Sequence, residues 1–88
     1  MNTQESFDLI IADCASLFSK KMIDYGSAWR IMRLSSLTDQ IFIKAQRIRT
    51  IEEKGRQEVG DSIEAEFKGI INYSVIALIQ LEKGFSDS

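Results

Sequence analysis

Eighty-eight residues with no Pro, no His and one Cys set narrow limits on this chain. They predict a single domain spanning 1–88, remove the commonest proton shuttle and the usual zinc ligand, and exclude an internal disulfide. Net charge is −2 and 44% of residues are hydrophobic, yet no apolar run reaches the ~18 residues of a membrane span.

The charge is unevenly placed. Residues 20–56 carry nine cations against four acids (+5), whereas 1–19 carry −3 and 57–88 carry −4. A basic segment with aromatics between acidic flanks is a plausible place to hold an anion. The start, MNTQESFD, has no basic stretch followed by an apolar core and does not read as a signal peptide. A lone Cys fits a reduced, cytoplasmic protein.

A first helix is predicted from about Gln4 to Ile23. Phe7, Ile10, Ile11, Cys14, Leu17 and Phe18 recur at three- and four-residue spacing and form one core-facing stripe. Thr3 is the expected N-cap and Gly26 the expected stop. Residues 24–36 form a connector with a short helical turn around 28–33, because Trp29, Ile31 and Met32 are too apolar for a free loop. Ser36 and Asp39 have capping-box spacing and predict a second helix over 37–54. Its stripe is Leu37, Ile41, Ala45, Ile48 and Glu52, with Gln40, Lys44, Arg47 and Ile51 on a neighbouring one. Gly55 ends it.

Asp61 and Glu64 repeat the capping spacing and predict the start of a third helix. From Ile70 to Leu81 nearly every position is apolar, which predicts burial on all sides. That is more apolar surface than one short chain needs, so a second copy is the expected partner. The predicted fold class is all-α: three main helices and a short connector helix, completed by dimerisation.

Three groups of residues bear on chemistry. Glu52 and Glu53 close the second helix while Glu64 and Glu66 open the third, so these carboxylates could meet across the short linker. Oxygen-rich clusters suit Mg²⁺; the alternative is helix capping and surface pairing. Arg30 and Arg33 in the connector, with Lys44 and Arg47 one turn apart, could form a forked anion grip; the alternative is pairing with the acidic helices. Asn72 sits inside an apolar helix and needs a partner. It either reaches the connector or the first helix as a structural tie, or contacts a ligand. Cys14 lies on an apolar stripe with no His to activate it and reads as an inert core thiol. With pI about 5.0 and no recognition motif, nucleic-acid binding is disfavoured.

The motif Lys21, Asp24, Tyr25, Gly26, Trp29, Arg30, the run from Ser36 to Arg49, and Ile71–Asn72–Tyr73 resemble the nucleotide-modification-associated domain family of bacteria and phages. The likeness covers about Phe7 to Gly84. Members often carry two consecutive copies, and this chain resembles the first. The helix pattern is also distantly similar to MazG-type all-α nucleoside triphosphate pyrophosphohydrolases, which bind Mg²⁺ through paired acids on successive helices. This chain departs from that pattern: Glu53 is followed three residues later by Arg56, and Glu66 by Gly69. The resemblance implies a nucleotide-binding domain. Lys21, Arg30, Arg33, Lys44 and Arg47 would hold phosphates, Tyr25 or Trp29 would stack on a base, and Asp24 and Asn72 would flank the ligand. A Mg²⁺-dependent dNTP pyrophosphohydrolase would add a metal at Glu52, Glu53, Glu64 and Glu66. The alternative is a non-catalytic oligomerisation module with a degenerate metal site.

Overall fold

The computed structural model describes residues 1–25, 33–55 and 62–83. Three helices account for nearly all of them: α1 (Thr3–Tyr25), α2 (Leu34–Lys54) and α3 (Ile63–Lys83). No strand occurs among the described residues, in agreement with the all-α reading. None of these helices is long and apolar enough to cross a membrane.

The helix starts differ from expectation in an informative way. On α1 the cap is Asn2, not Thr3. Its Oδ1 accepts the Glu5 N–H at 2.8 Å, while Glu5 Oε1 accepts the Asn2 N–H at 3.3 Å. That reciprocal pair satisfies two end donors at once. On α2 the Ser36/Asp39 box is not used. The helix begins three residues earlier, after an extended Arg33 (φ −72°, ψ 152°) with no side-chain cap. The early start places Leu34 one turn before fully buried Leu37. The extended Arg33 also ends the expected connector turn before residue 33; the rest of that turn lies outside the described residues. On α3, Ser62 Oγ accepts the Ala65 N–H at 3.0 Å, and the expected cap Asp61 lies outside the described residues. The stop at Gly55 is as expected. Its φ of 72° lets its N–H reach the carbonyls of Ile51 (3.0 Å) and Glu52 (3.3 Å), a left-handed ending that a side chain would strain.

α2 and α3 pack antiparallel along two seams. Leu37, Ile41, Lys44, Ile48 and Ile51 face Glu66, Gly69, Tyr73, Ile76 and Gln80, all buried or half-buried. Both sets alternate spacings of three and four, as in a coiled-coil seam. This corrects the stripe read from the sequence. Ala45 and Glu52 are exposed, and Lys44 and Ile51 take their place, because alternating spacing follows the partner helix whereas the expected stripe drifts away from it. Each fully buried aliphatic side chain here stabilises the pair by roughly 1.5–3 kcal/mol.

α1 is held to α3 more lightly. Cys14 is buried, and the Asn72 amide donates to the Cys14 carbonyl at 3.1 Å. The structural-tie reading of Asn72 is therefore observed. Ser74, also inside the apolar stretch, donates to Ile70 O at 2.7 Å. Leu17 and Phe18 are half-buried, but Phe7, Ile10 and Ile11 of the same stripe are exposed. Nor is α3 buried all round: Phe67, Val75, Leu78 and Leu81 are exposed. Two neighbouring helices cover only part of its circumference.

Candidate anion-binding cleft

α1 crosses α3 so that Leu17 and Lys21 reach the start of α3 while Cys14 meets Asn72. A cleft of ≈ 350 Å³ opens between the three helices at that end. Lys21 comes from α1, Lys44 and Arg47 from α2, and Lys68 from α3, together with Glu64 and Glu66. Four cations against two carboxylates leave the lining at +2. The first turn of α3 adds the positive end of a helix dipole.

The wall of the cleft is built around one buried acid. Glu66 is 3% exposed, and burying a carboxylate demands a partner. Lys44 Nζ lies 3.1 Å from Glu66 Oε1, and Arg47 Nη1 lies 3.9 Å from the same oxygen. Lys44 is itself 16% exposed, whereas Arg47 is 55% exposed and turns most of its guanidinium toward solvent. The Lys44 stem reaches this position by lying on the α3 backbone. A Cβ at Gly69 would come within 2.6 Å of Lys44 Cε and 2.8 Å of its Cδ. An alanine there would push the end of the Lys44 side chain aside. The ammonium also stands 5.9 Å from the centroid of the Tyr73 ring, within cation–π range.

Lys68 is tied to α1 by an ion pair with Asp13. The hydrogen bond that Lys68 donates to Asp13, and then the carboxylate's negative charge, raise the Lys68 pKa above its ordinary 10.5. The pair bridges α1 and α3 beside the cleft.

Of the residues singled out in the sequence, Lys21, Lys44, Arg47, Asn72, Glu64 and Glu66 converge on this cleft. Arg33 does not; it is exposed beside the first turn of α2. Trp29, Arg30 and the side chains of Asp24 and Tyr25 lie outside the described residues. Glu52 and Glu53 are exposed in the last turn of α2 and do not line the cleft; Glu52 lies 4.0 Å from Arg49. Among the described residues, no three acidic, thiol or imidazole groups come together as a metal site. Glu66 has already turned its carboxylate to two cations. The four glutamates therefore do not fit a resident Mg²⁺ within one copy.

Sequence reasoning missed Lys68 and Gly69. Gly69 carried a usable signal, because an isolated glycine inside a helix costs about 1 kcal/mol relative to Ala and tends to have a packing reason. Lys68 carried none, since its partner Asp13 stands 55 positions earlier.

A family model described as nucleotide modification associated domain 1 matches residues 21–81. That span holds every cleft residue except Leu17. No curated protein and no solved structure matches the chain.

Proposed function

Because the chain belongs to the nucleotide modification associated domain 1 family, we propose that its cationic cleft binds the phosphates of a nucleotide. The observation that carries this reading is the convergence of Lys21, Lys44, Arg47 and Lys68 at the start of α3. The cleft volume falls within the usual ~300–1,000 Å³ of small-molecule sites. Arg47, largely exposed beside half-satisfied Lys44, is the principal phosphate contact, because a guanidinium matches phosphate oxygens in bidentate fashion. Lys21 closes the opposite wall. In this reading Tyr25 or Trp29 stacks on the base, Asp24 and Arg30 flank it, and Asn72 keeps α1 in register. A cytoplasmic nucleotide pool is the compartment that such a site suits.

The finer reading, a MazG-like Mg²⁺-dependent dNTP pyrophosphohydrolase, needs carboxylates that the described residues of one copy do not gather. In this reading Mg²⁺ enters as the counter-ion of the nucleotide's phosphates, and hydrolysis requires acids beyond these, such as those of a second copy. A non-catalytic module with a degenerate metal site is the second reading, and the commitment of Glu66 to Lys44 favours it.

Thermal shift separates these outcomes. Nucleoside triphosphates and inorganic tripolyphosphate are expected to raise the melting temperature, and the unphosphorylated nucleoside is not. A ligand at a hundred times its Kd adds about 2.7 kcal/mol. Arg47→Gln should remove most of the shift, and Gly69→Ala should weaken it by displacing Lys44. If no phosphorylated compound shifts the transition, the binding reading is wrong. Pyrophosphate release from dNTPs with Mg²⁺ would restore the enzyme reading.

A further inference from the structure

The packing stripe of α1 does not stop where its own chain stops covering it. Beyond Cys14 it continues toward the N-terminus as Ile11, Ile10 and Phe7, which are 41%, 48% and 58% exposed. The antiparallel course of α1 places this stretch along the C-terminal half of α3, where Val75 and Leu78 are 39% and 65% exposed. Phe7, Ile10 and Ile11 continue the α1 face that packs at Cys14, Val75 lies beside Asn72 on α3 with Leu78 one turn further on, and no described helix covers them. We propose that this α1–α3 face is the contact between two copies of the chain.

The area argues for a second copy as the occupant. A compact chain of 10.0 kDa exposes about 5,200 Å². This one exposes 6489 Å², an excess of about 1,200 Å² over that expectation. A standard interface removes about 800 Å² from each partner, so one two-fold contact is enough to absorb most of the excess. The radius of gyration agrees: 14.4 Å against about 12 Å for a compact domain of this length. A two-fold pairing also presents the same stripe on both sides, so each copy supplies the apolar surface that the other lacks. The proposal is independent of the cleft, because none of these five side chains lines it.

Sedimentation velocity over a concentration series tests it. The wild-type chain is expected at twice 10.0 kDa at high concentration. The double variant Ile10→Lys/Leu78→Lys is expected at half the wild-type mass with unchanged helix content. Both positions are exposed in the isolated chain, so the added charges strike the interface rather than the fold. A helical wild-type chain that stays at the single-chain mass at every concentration overturns the proposal and leaves the face to a different protein. A double variant that remains dimeric overturns it too, by placing the contact elsewhere. Should the variant lose helix, hydroxyl-radical footprinting of the wild-type chain decides. Phe7, Ile10 and Leu78 must be shielded when concentrated and labelled on dilution; equal labelling at both concentrations overturns the proposal.

Discussion

The α2–α3 hairpin and the α1 helix obey different physics. The hairpin closes on two regular seams whose aliphatic members are largely buried, with a charged layer in which Glu66 faces Lys44 and Arg47. α1 is attached by a buried Cys14, one amide-to-carbonyl bond and one ion pair. The hairpin is thus the scaffold that fixes three of the four cleft cations. α1 carries the fourth and sets how widely the cleft opens. Stability should concentrate in the first region and adaptability in the second.

The comparison breaks most sharply at Leu37. It is 0% exposed, and replacing it with Ala leaves a cavity in the seam. Leu37→Ala should cost about 2–5 kcal/mol. In a domain of this size that lowers the melting temperature by on the order of 10–30 °C. Calorimetry checks it. A loss below 1 kcal/mol would mean that the hairpin is not the stable core.

Next comes the polar layer. Lys44→Met strands Glu66 in the seam, where loss of one partner of a buried pair costs about 3–5 kcal/mol. The lower end is expected, because Arg47 still stands 3.9 Å away. The double variant Lys44→Met/Glu66→Leu should recover most of that loss, since an apolar pair of similar size often equals a buried ion pair. If the double variant is no better than the single one, the layer is not a coupled pair. Urea unfolding of the four proteins of this cycle gives the answer.

These two positions also show what could be read in advance. Leu37 begins an apolar stripe and was legible as core. Lys44 was legible as a cation near the site but not as a member of the seam. Nothing in its local spacing reveals that Glu66, 22 residues on, faces it across the helix pair. The phase of a helix is set by its partner, so a stripe one position away reads equally well until the partner is known. The same reason explains why Glu66 reads from the sequence as a candidate metal ligand: an acid early in a helix has the same local signature whether it meets a metal, a cap or a buried ammonium. Helix existence, the Gly55 stop and the burial of Cys14 depend on local pattern, and these agree with the structure.

A milder change tests the attachment of α1. Asn72→Ala removes the bond to the Cys14 carbonyl. That carbonyl belongs to a helix residue, so the expected cost is only about 1 kcal/mol. The informative readout is local. Hydrogen exchange in α1 should accelerate while the seam residues of α2 and α3 keep their protection, because lightly held elements open below the global free energy. Uniform acceleration across all three helices would show that α1 and the hairpin unfold as one unit.

The smallest effect is electrostatic and identifies which charge holds the mouth of the cleft. Asp13 raises the Lys68 pKa above 10.5. A base whose pKa is higher in the folded state binds its proton more tightly there. The stability it adds is complete below the unfolded value and is lost as pH rises through the folded one. Stability from this pair should therefore be flat through neutrality and decline only in the alkaline range above 10.5. Lys68→Met should abolish this alkaline decline, leaving only the slope that other titrating groups impose. Melting temperatures of both proteins from about pH 8 upward make the comparison. Parallel curves would mean that the ion pair contributes nothing to the α1–α3 contact, which then rests on other ties such as the Asn72 bond and the Cys14 packing. In that case the opening of the cleft would not depend on this pair, and phosphate binding should show the same pH dependence in both proteins.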